Sequence, residues 1–573
     1  MRRRGAGSLI VLLLGALLCP GLFPGGRALS HDLGIREMVL DAGVSPVGKP
    51  LRGRIKELTG PATLDQPDTE YVVVNDITAE GTAFTVTASG VTLNLNGYTV
   101  TYGTQDAKAA YGVSVEGVKR KNIVLVNGRI VQGEGKCRGK PGSGKNCNPV
   151  YAYETFGMEI GGVEISYHAA DTHGIYLQWG RDAHIHHSVI RDLGTGVKDR
   201  HQGIDALRAG KVVGAKVHHT IVKTRQVGIR VGEEGMVYNN EVHIDSRVTN
   251  SVGISAAGGM IHHNKVFGSG VHPIGIWPGR SGKVFSNYVE VQSTREGDEY
   301  GDTGAACLRM TWGSGDGMEV MYNTFLLRAS RDYKGAGFNS WGRALFVGLP
   351  KAEQKAEFHN NVIIALNDDG KAKAAAIAVV CGNMSPHLVF RNNRVESNWA
   401  NVLLADNYGH ADGYARFIDN TFVKRDNYSN YKTVKSQYSS LPSTGVFTGN
   451  TMENGASMED IDLEFSGKGR KEITVGWHLT VEVRDSDGTP VRDAAVVIQD
   501  RKGETVFEGI TDDGGRAAAD VVQYLLTNVH EGESTGKRMK IRKTPHTVVV
   551  SYGGKTRKRS VPIEDSKFIH IRI

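Results

Sequence analysis

The chain has 573 residues, with 68 Lys and Arg against 61 Asp and Glu, a formal charge of +7. Arg2, Arg3, Arg4 and Arg27 lie in the first 30 residues, which hold no acid, so the rest of the chain is close to neutral and offers no overall basic field for nucleic acid. Its 73 glycines beside 16 prolines, with no Gly-X-Y period, exclude collagen and call for many tight turns.

Met1–Arg4 is a basic start, Leu9–Leu18 an apolar run, and Ala28-Leu29-Ser30 places small residues before His31. This is the form of a secretory signal over 1–30, cut after Ser30. The run is shorter than the roughly 20 residues a membrane span needs, and no later stretch is longer. The expected location is secreted, periplasmic or cell-surface, without a transmembrane span. Cys137 and Cys147 flank GKPGSGKN and, in an exported protein, read as a local disulfide. Cys307 and Cys381 sit in apolar strand patterns and read as buried thiols.

Residues 31–70 are expected to form an N-terminal cap segment. First coils follow at TAFTVTASGVTLNLNGYTV (82–100) and KNIVLVNGRIV (121–131). The long middle then repeats itself. A strand of the form Gly-apolar-x-apolar recurs as GIYL (174–177), GIDA (203–206), GIRV (228–231), GISA (253–256) and GIWP (275–278), with looser copies CLRM (307–310), ALFV (344–347) and AIAV (376–379). After each comes apolar-x-x-Asn-x-apolar, which carries Asn240, Asn264, Asn287, Asn323, Asn361, Asn393 and Asn420; two earlier copies have Ser188 and Thr220 there. One such turn cannot bury its own apolar face, but stacked turns can, each strand pairing with its equivalent about 4.8 Å away. The asparagines would then form an internal amide ladder.

This pattern resembles the right-handed parallel β-helix of the pectate-lyase-like superfamily. The resemblance implies an all-β fold with about 10–12 coils over 71–455, and leaves function open among lyases, hydrolases, epimerases and passive adhesins. Residues 456–474 are polar with scattered Gly and read as a linker. Over 475–573 the pattern changes to period two with Asp-Gly turns at 487–488 and 513–514. It is similar to the carboxypeptidase regulatory-like, immunoglobulin-like β-sandwich modules. Two basic runs there, KRMKIRK (537–543) and KTRKR (555–559), read as solvated hairpins or as a surface-docking patch for an anionic glycan.

Used as a ruler, the Gly-Ile-x strands put Ile175, Ile204, Ile229, Ile254 and Ile276 inside and the next residue outside. That outward column reads Tyr176, Asp205, Arg230, Ser255, Trp277 and Arg309. Two residues before each Gly the same face would carry Thr172, His201, Gln226 and Ser251, and Arg208 is a further candidate contact. Aromatic faces stack on sugar rings, and Arg pairs with carboxylate or sulfate through two parallel hydrogen bonds. The histidines divide in two. His186, His218 and His262, and beside them His187, His219 and His263, recur once per coil and read as stacked structural columns. His168, His173 and His201, with Asp171, fall outside those columns and read as acid/base candidates. The insert REGDEYGDTG (295–304) brings Asp298, Glu299 and Asp302 together, with Glu296, as possible Ca²⁺ ligands; otherwise no cofactor is expected.

The function read from this is a polysaccharide lyase acting on an acidic, uronic-acid glycan. Arg230 and Arg309 would neutralise the sugar carboxylate, His201 or His173 would remove the C5 proton, and Tyr176 would protonate the leaving oxygen. Trp277, Gln226 and Arg208 would bind substrate. The alternatives are a glycoside hydrolase pairing Asp205 with Asp171 or Asp302, an epimerase, and a non-catalytic glycan-binding surface protein.

Overall fold

The computed structural model describes residues 54–573 apart from 140–145, 170–171, 195–204, 247–250, 296–303, 311–315, 330–340, 350, 369–372, 381–384, 407–412, 427–429, 437–441, 466–468 and 531–534. The signal-like start, most of the expected cap, His201, Asp171, Asp298, Glu299, Asp302 and Cys381 therefore lie outside the described residues.

The polar/apolar alternation of the short strands produces a parallel β-helix. One sheet, the first face, stacks fifteen strands from Ala62–Leu64 to Ile461–Asp462, each parallel to the strand one coil on. Two further long stacks build the coils. One runs through His184–His186, Lys216–His218, Met236–Tyr238 and Gly259–His262, the other through Val189–Asp192, Ile221–Thr224, Glu241–Ser246 and Lys265–Val271. Among the described residues these fifteen strands exceed the 10–12 coils expected: thirteen lie within 71–455, and Ala62–Leu64 and Ile461–Asp462 lie beyond its two ends. Arg54–Leu58 already pairs in parallel with Thr69–Val73. The 456–474 stretch, expected as a linker, holds the last strand of the first face and the start of Lys471–Arg484. Terminal coils lack the Gly-Ile and Asn marks, and backbone pairing does not require them.

Two side-chain columns explain the repeat. A Cβ on Gly228 would sit 2.5 Å from the Gly253 carbonyl oxygen, one on Gly253 2.7 Å from that of Gly275, and one on Gly275 2.7 Å from that of Cys307. In these coils the next coil leaves room only for hydrogen. The second column is the amide ladder. Each Asn donates from Nδ2 to the Oδ1 of the next Asn, 2.9–3.1 Å away, from Asn240 through Asn264, Asn287, Asn323, Asn361, Asn393 and Asn420 to Asn450. The residue before each takes a left-handed backbone (Asn239, His263 and Ser286 all at φ 55°), which folds the chain through the corner. Inside, Ile175, Ile229, Ile254 and Ile276 are fully buried, as the ruler required. The C-terminal coils close on a stack of Phe358, Phe390, Phe417 and Phe447, with ring centroids 4.5–5.2 Å apart.

The C-terminal module begins on a strand that also belongs to the last coil. Lys471–Arg484 pairs in parallel with Ser443–Thr448 through its first half, as a last coil. From Glu472 to Glu482 it also runs antiparallel to Arg516–Val529, and its second half runs parallel to Lys567–Arg572. Tyr524 and Leu526 of the facing strand join the β-helix core and cap its end. A second, four-stranded antiparallel sheet (Thr505–Ile510, Ala495–Gln499, His546–Tyr552, Lys555–Val561) shares a separate core with the first, built from Leu479, Val481, Val496, Ile498, Val548 and Ile569. The module is thus a two-sheet β-sandwich grown on the β-helix. His478 ties the two together: its ring nitrogens lie 2.7 Å from Asp419 and 2.7 Å from Asp520. Cys137 and Cys147 are disulfide-bonded, with Cα atoms 5.9 Å apart. Cys307 is a buried free thiol, pushed well up in pKa by that burial.

Candidate functional site

The first face carries the candidate column on its outer side, with one correction to the register. Tyr176 pairs with Arg208, not with Asp205; Arg208 pairs with Arg230, Arg230 with Ser255, and Ser255 with Trp277. The coil that reads GIDA pairs instead through Ala206-Leu207-Arg208-Ala209, which fits the same small-apolar-x-apolar form three residues on. Leu207 is the inward residue of this coil, fully buried between Ile175 and Ile229, and Ile204 lies outside the described residues. Tyr151 precedes Tyr176 in the column, and its ring centroid is 5.9 Å away; Tyr111 stacks on Tyr151 at 5.3 Å. Neither tyrosine belongs to a Gly-Ile copy, which is why the repeat did not point to them; the apolar alternation of Val150-Tyr151-Ala152-Tyr153 is the signal that does.

From Tyr151 to Trp277 the column makes five steps of about 4.8 Å, roughly 24 Å in all. Asp205 holds its middle. It is fully buried, one carboxylate oxygen accepts from Arg230 Nε and Nη2 (3.2 and 3.1 Å), and the other accepts from Arg208 Nη1 (3.2 Å). The two arginine side chains keep 34% and 31% of their surface exposed. A buried carboxylate therefore aims two accessible guanidiniums outward from neighbouring coils. Arg208 also sits 5.4 Å over the Tyr176 ring. At the far end Trp277 is half-buried, and Val227, Val252 and Ile274 form an outer apolar strip against it.

Several expected roles change. His173 has no exposed surface: its Nδ1 accepts the Asp205 N–H at 2.9 Å, and its own N–H donates to Asn148 Oδ1 at 3.0 Å. A ring fixed this way supports the backbone under Asp205 and does not meet a polymer outside. Tyr176, at 6% exposure, presents little more than one edge. Gln226 is buried, its N–H turned to Thr224 Oγ1, so it is no surface contact. The outward positions Thr172 and Ser251 are likewise buried. Asp205 is committed to two ion pairs and is not one of an accessible carboxylate pair. Arg309 lies in the column after Trp277, 4.8 Å over its ring, but is only 7% exposed; burial and the neighbouring Arg343 lower its pKa to about 10. His201 and the acidic insert lie outside the described residues, and among the described residues no group of three His, Cys, Asp or Glu side chains is placed to hold a metal.

The histidine columns stack as read. His187 lies over His219 at 4.9 Å and 1°; His186, His218, Tyr238, His262 and Phe285 form a continuous pile 4.6–5.3 Å apart. Burial, and then the adjoining histidines, lower His186 to about 4 and His218 to about 3. Both stay neutral in the native state while an unfolded chain would take up protons below about 6.5. Their contribution is therefore intact above that pH and is lost as pH falls from about 6.5 toward 4 and 3. Thermal midpoints are expected to drop between pH 7.5 and pH 5, and His218→Phe, which keeps the stack, to drop less than wild type. Parallel slopes for the two proteins would count against this origin.

No family model matches the chain, and no curated protein matches it. Among solved structures it is similar to the tailspike protein of E. coli bacteriophage HK620 in complex with pentasaccharide, at 9% identity and TM-score 0.32 over 84% of this chain and 86% of that one. A single mutant of the same tailspike with pentasaccharide gives 10% identity and TM-score 0.34 over the same shares, and a double mutant 10% and 0.37 over 81% and 86%.

Proposed function

We propose that this chain is an exported protein that binds an acidic polysaccharide along the Tyr151–Trp277 column and cleaves it by β-elimination. The supporting observation is the pair Arg208 and Arg230, on adjacent coils, oriented by the fully buried Asp205 and flanked by Tyr176 and Trp277. Two guanidiniums so fixed suit a uronate carboxylate: neutralising it acidifies the C5 proton and stabilises the enolate-like charge that develops on elimination. Tyr151 and Trp277, both only partly buried, give the sugar rings an apolar contact. His201 remains the proposed base, and Asp298, Glu299 and Asp302 remain proposed Ca²⁺ ligands that would add to the charge neutralisation. The basic C-terminal module is read as a surface-docking element.

A second reading, a non-catalytic glycan-binding protein, is favoured by the burial of His173, which leaves no accessible histidine in the described part of the column. The hydrolase alternative loses Asp205 to its arginines. One assay separates these. The purified chain is followed with a panel of acidic polysaccharides, with and without Ca²⁺, for the ultraviolet absorbance of a new C4–C5 double bond. A rise that disappears in Arg230→Ala is the expected result. A flat trace with new reducing ends would move the assignment to hydrolysis, and binding with neither product would leave the non-catalytic reading.

A further inference from the structure

The two basic runs of the C-terminal module have different structural settings. Lys555–Val561 is an edge strand whose first six residues are exposed. Arg557 and Arg559 stand opposite Val550 and Val548, on the core-facing side of the sheet, and Arg559 Nη1 donates to the His570 carbonyl at 3.0 Å. Charge turned inward on a free edge blocks strand addition by another chain. That accounts for 555–559 without a ligand.

The other run has no such account. Lys540 and Arg542, on Thr535–Arg542, face Arg501 and Lys502, in the turn between Ala495–Gln499 and Thr505–Ile510. Among the described residues these four line a cleft of about 620 Å³. The Arg501 N–H donates to the Lys543 carbonyl at 2.9 Å, which fixes the turn against the strand. Of the nearby acids, Asp500 is held by Lys543 Nζ at 2.9 Å, with Glu504 at 3.4 Å, while Glu459 pairs with Lys540 of the lining itself, which leaves Arg501, Lys502 and Arg542 as the cations that carry the cleft. Lys540 Nζ also sits 4.0 Å over the Tyr524 ring. Among the described residues Arg501, Lys502 and Arg542 have no carboxylate partner.

We propose that this cleft is a second polysaccharide site, which holds a polyanionic glycan by its sulfate or carboxylate groups. The ligand class rests on the acidic-glycan reading above. The location rests on the cleft alone. Among the described residues the lining has no aromatic ring on which a sugar or a nucleic-acid base could stack, so it reads charge density rather than ring identity. Its open form admits a chain passing through. It is also carried by the strand next to Arg516–Val529, which caps the β-helix, so a chain held there is tethered to the body that bears the Arg208–Arg230 column. Tethering raises the effective concentration of the same polymer at that column.

The test uses the full chain, without an affinity tag, and immobilised heparin as the polyanionic probe, with neutral dextran and duplex DNA as comparators. In the variant Arg501→Glu/Lys502→Glu/Arg542→Glu all three changes are at exposed positions, so the thermal midpoint should be unchanged. Heparin affinity should fall by about tenfold or more, with a shallower dependence on salt, because fewer counterions are released on binding. Arg557→Glu/Arg559→Glu should leave heparin affinity within about threefold, under 1 kcal/mol. A short acidic oligosaccharide reports on the column separately: Arg230→Ala should weaken its binding and the cleft variant should not. If that arm fails while heparin binding still depends on the cleft, the column reading falls and the cleft stands. The proposal is overturned if the wild-type chain does not retain heparin at physiological salt, if the cleft variant binds as wild type does, if the edge-strand variant abolishes binding instead, or if DNA competes as well as heparin.

Discussion

Asn287→Ala is expected to destabilise the chain by about 3–5 kcal/mol, among the largest costs of any single substitution here. Asn287 Nδ2 donates to Asn323 Oδ1 (2.9 Å), the Ile261 carbonyl (2.9 Å) and the Phe285 carbonyl (3.0 Å), and its N–H donates to Asn323 Oδ1 (3.0 Å). Its Oδ1 in turn accepts both the N–H and the Nδ2 of Asn264 at 3.0 Å. Alanine removes this at one point, but the damage falls on the neighbours. The donors of Asn264 lose their acceptor, and two backbone carbonyls lose a donor, all in a site that water does not reach. An unsatisfied buried polar group costs its full desolvation, which exceeds what the hydrogen bond contributed. The ladder also transmits the fault, since adjacent coils share the only surfaces that hold them. Ser286→Gly, one position earlier but outside the ladder, should change stability by less than about 0.5 kcal/mol. Denaturant titration of the three proteins checks this; equal midpoints for Asn287→Ala and wild type would refute the ladder's role.

The second large effect is expected at Asp205, in function more than in stability. Asp205→Asn keeps the shape but replaces one acceptor oxygen with an amide that faces a guanidinium. Arg208 and Arg230 each keep about a third of their surface in solvent, so water recovers part of the loss, and the stability cost should stay near 2 kcal/mol. Glycan binding should weaken by about tenfold or more, or 1.4 kcal/mol, because the two guanidiniums are no longer held in one outward geometry. Arg230→Lys is expected to be nearly as harmful, since an ammonium cannot make the paired Nε and Nη2 contacts with Asp205 Oδ1. Calorimetry with an acidic oligosaccharide reads the binding, and near-ultraviolet circular dichroism confirms the fold. If Asp205→Asn binds normally, the aimed pair is not the recognition element.

The β-helix was legible because its signals are local and periodic. The Gly column is forced by the next coil's carbonyl, and the Asn column by the corner it satisfies, so each coil repeats both. The histidine columns followed from the same ruler. The errors have one cause. A motif as short as small-apolar-x-apolar fits both 203–206 and 206–209, and only pairing with Tyr176 and Arg230 selects the second. That three-residue shift moves Asp205 from an outward catalytic candidate to a buried anchor and brings Arg208 into the column. Within 456–474, read as a linker for its low apolar content, Ile461–Asp462 and the residues from Lys471 on pair with the coil below.

By itself, then, the order of residues determined the stacking, the inward isoleucines, the amide ladder and the presence of arginine and tryptophan on one face. Those depend on side-chain size and hydrogen-bonding capacity repeated at short range. Which side chains stay accessible was decided only by the tertiary structure. Exposure depends on the neighbouring coils. His173, Gln226 and Arg309 are buried, whereas Arg208 and Arg230 stay open over a carboxylate that neighbours them in the fold. The cationic cleft is of the same kind: Arg501 and Arg542 are far apart along the chain, and the register between a turn and an edge strand is what places them together.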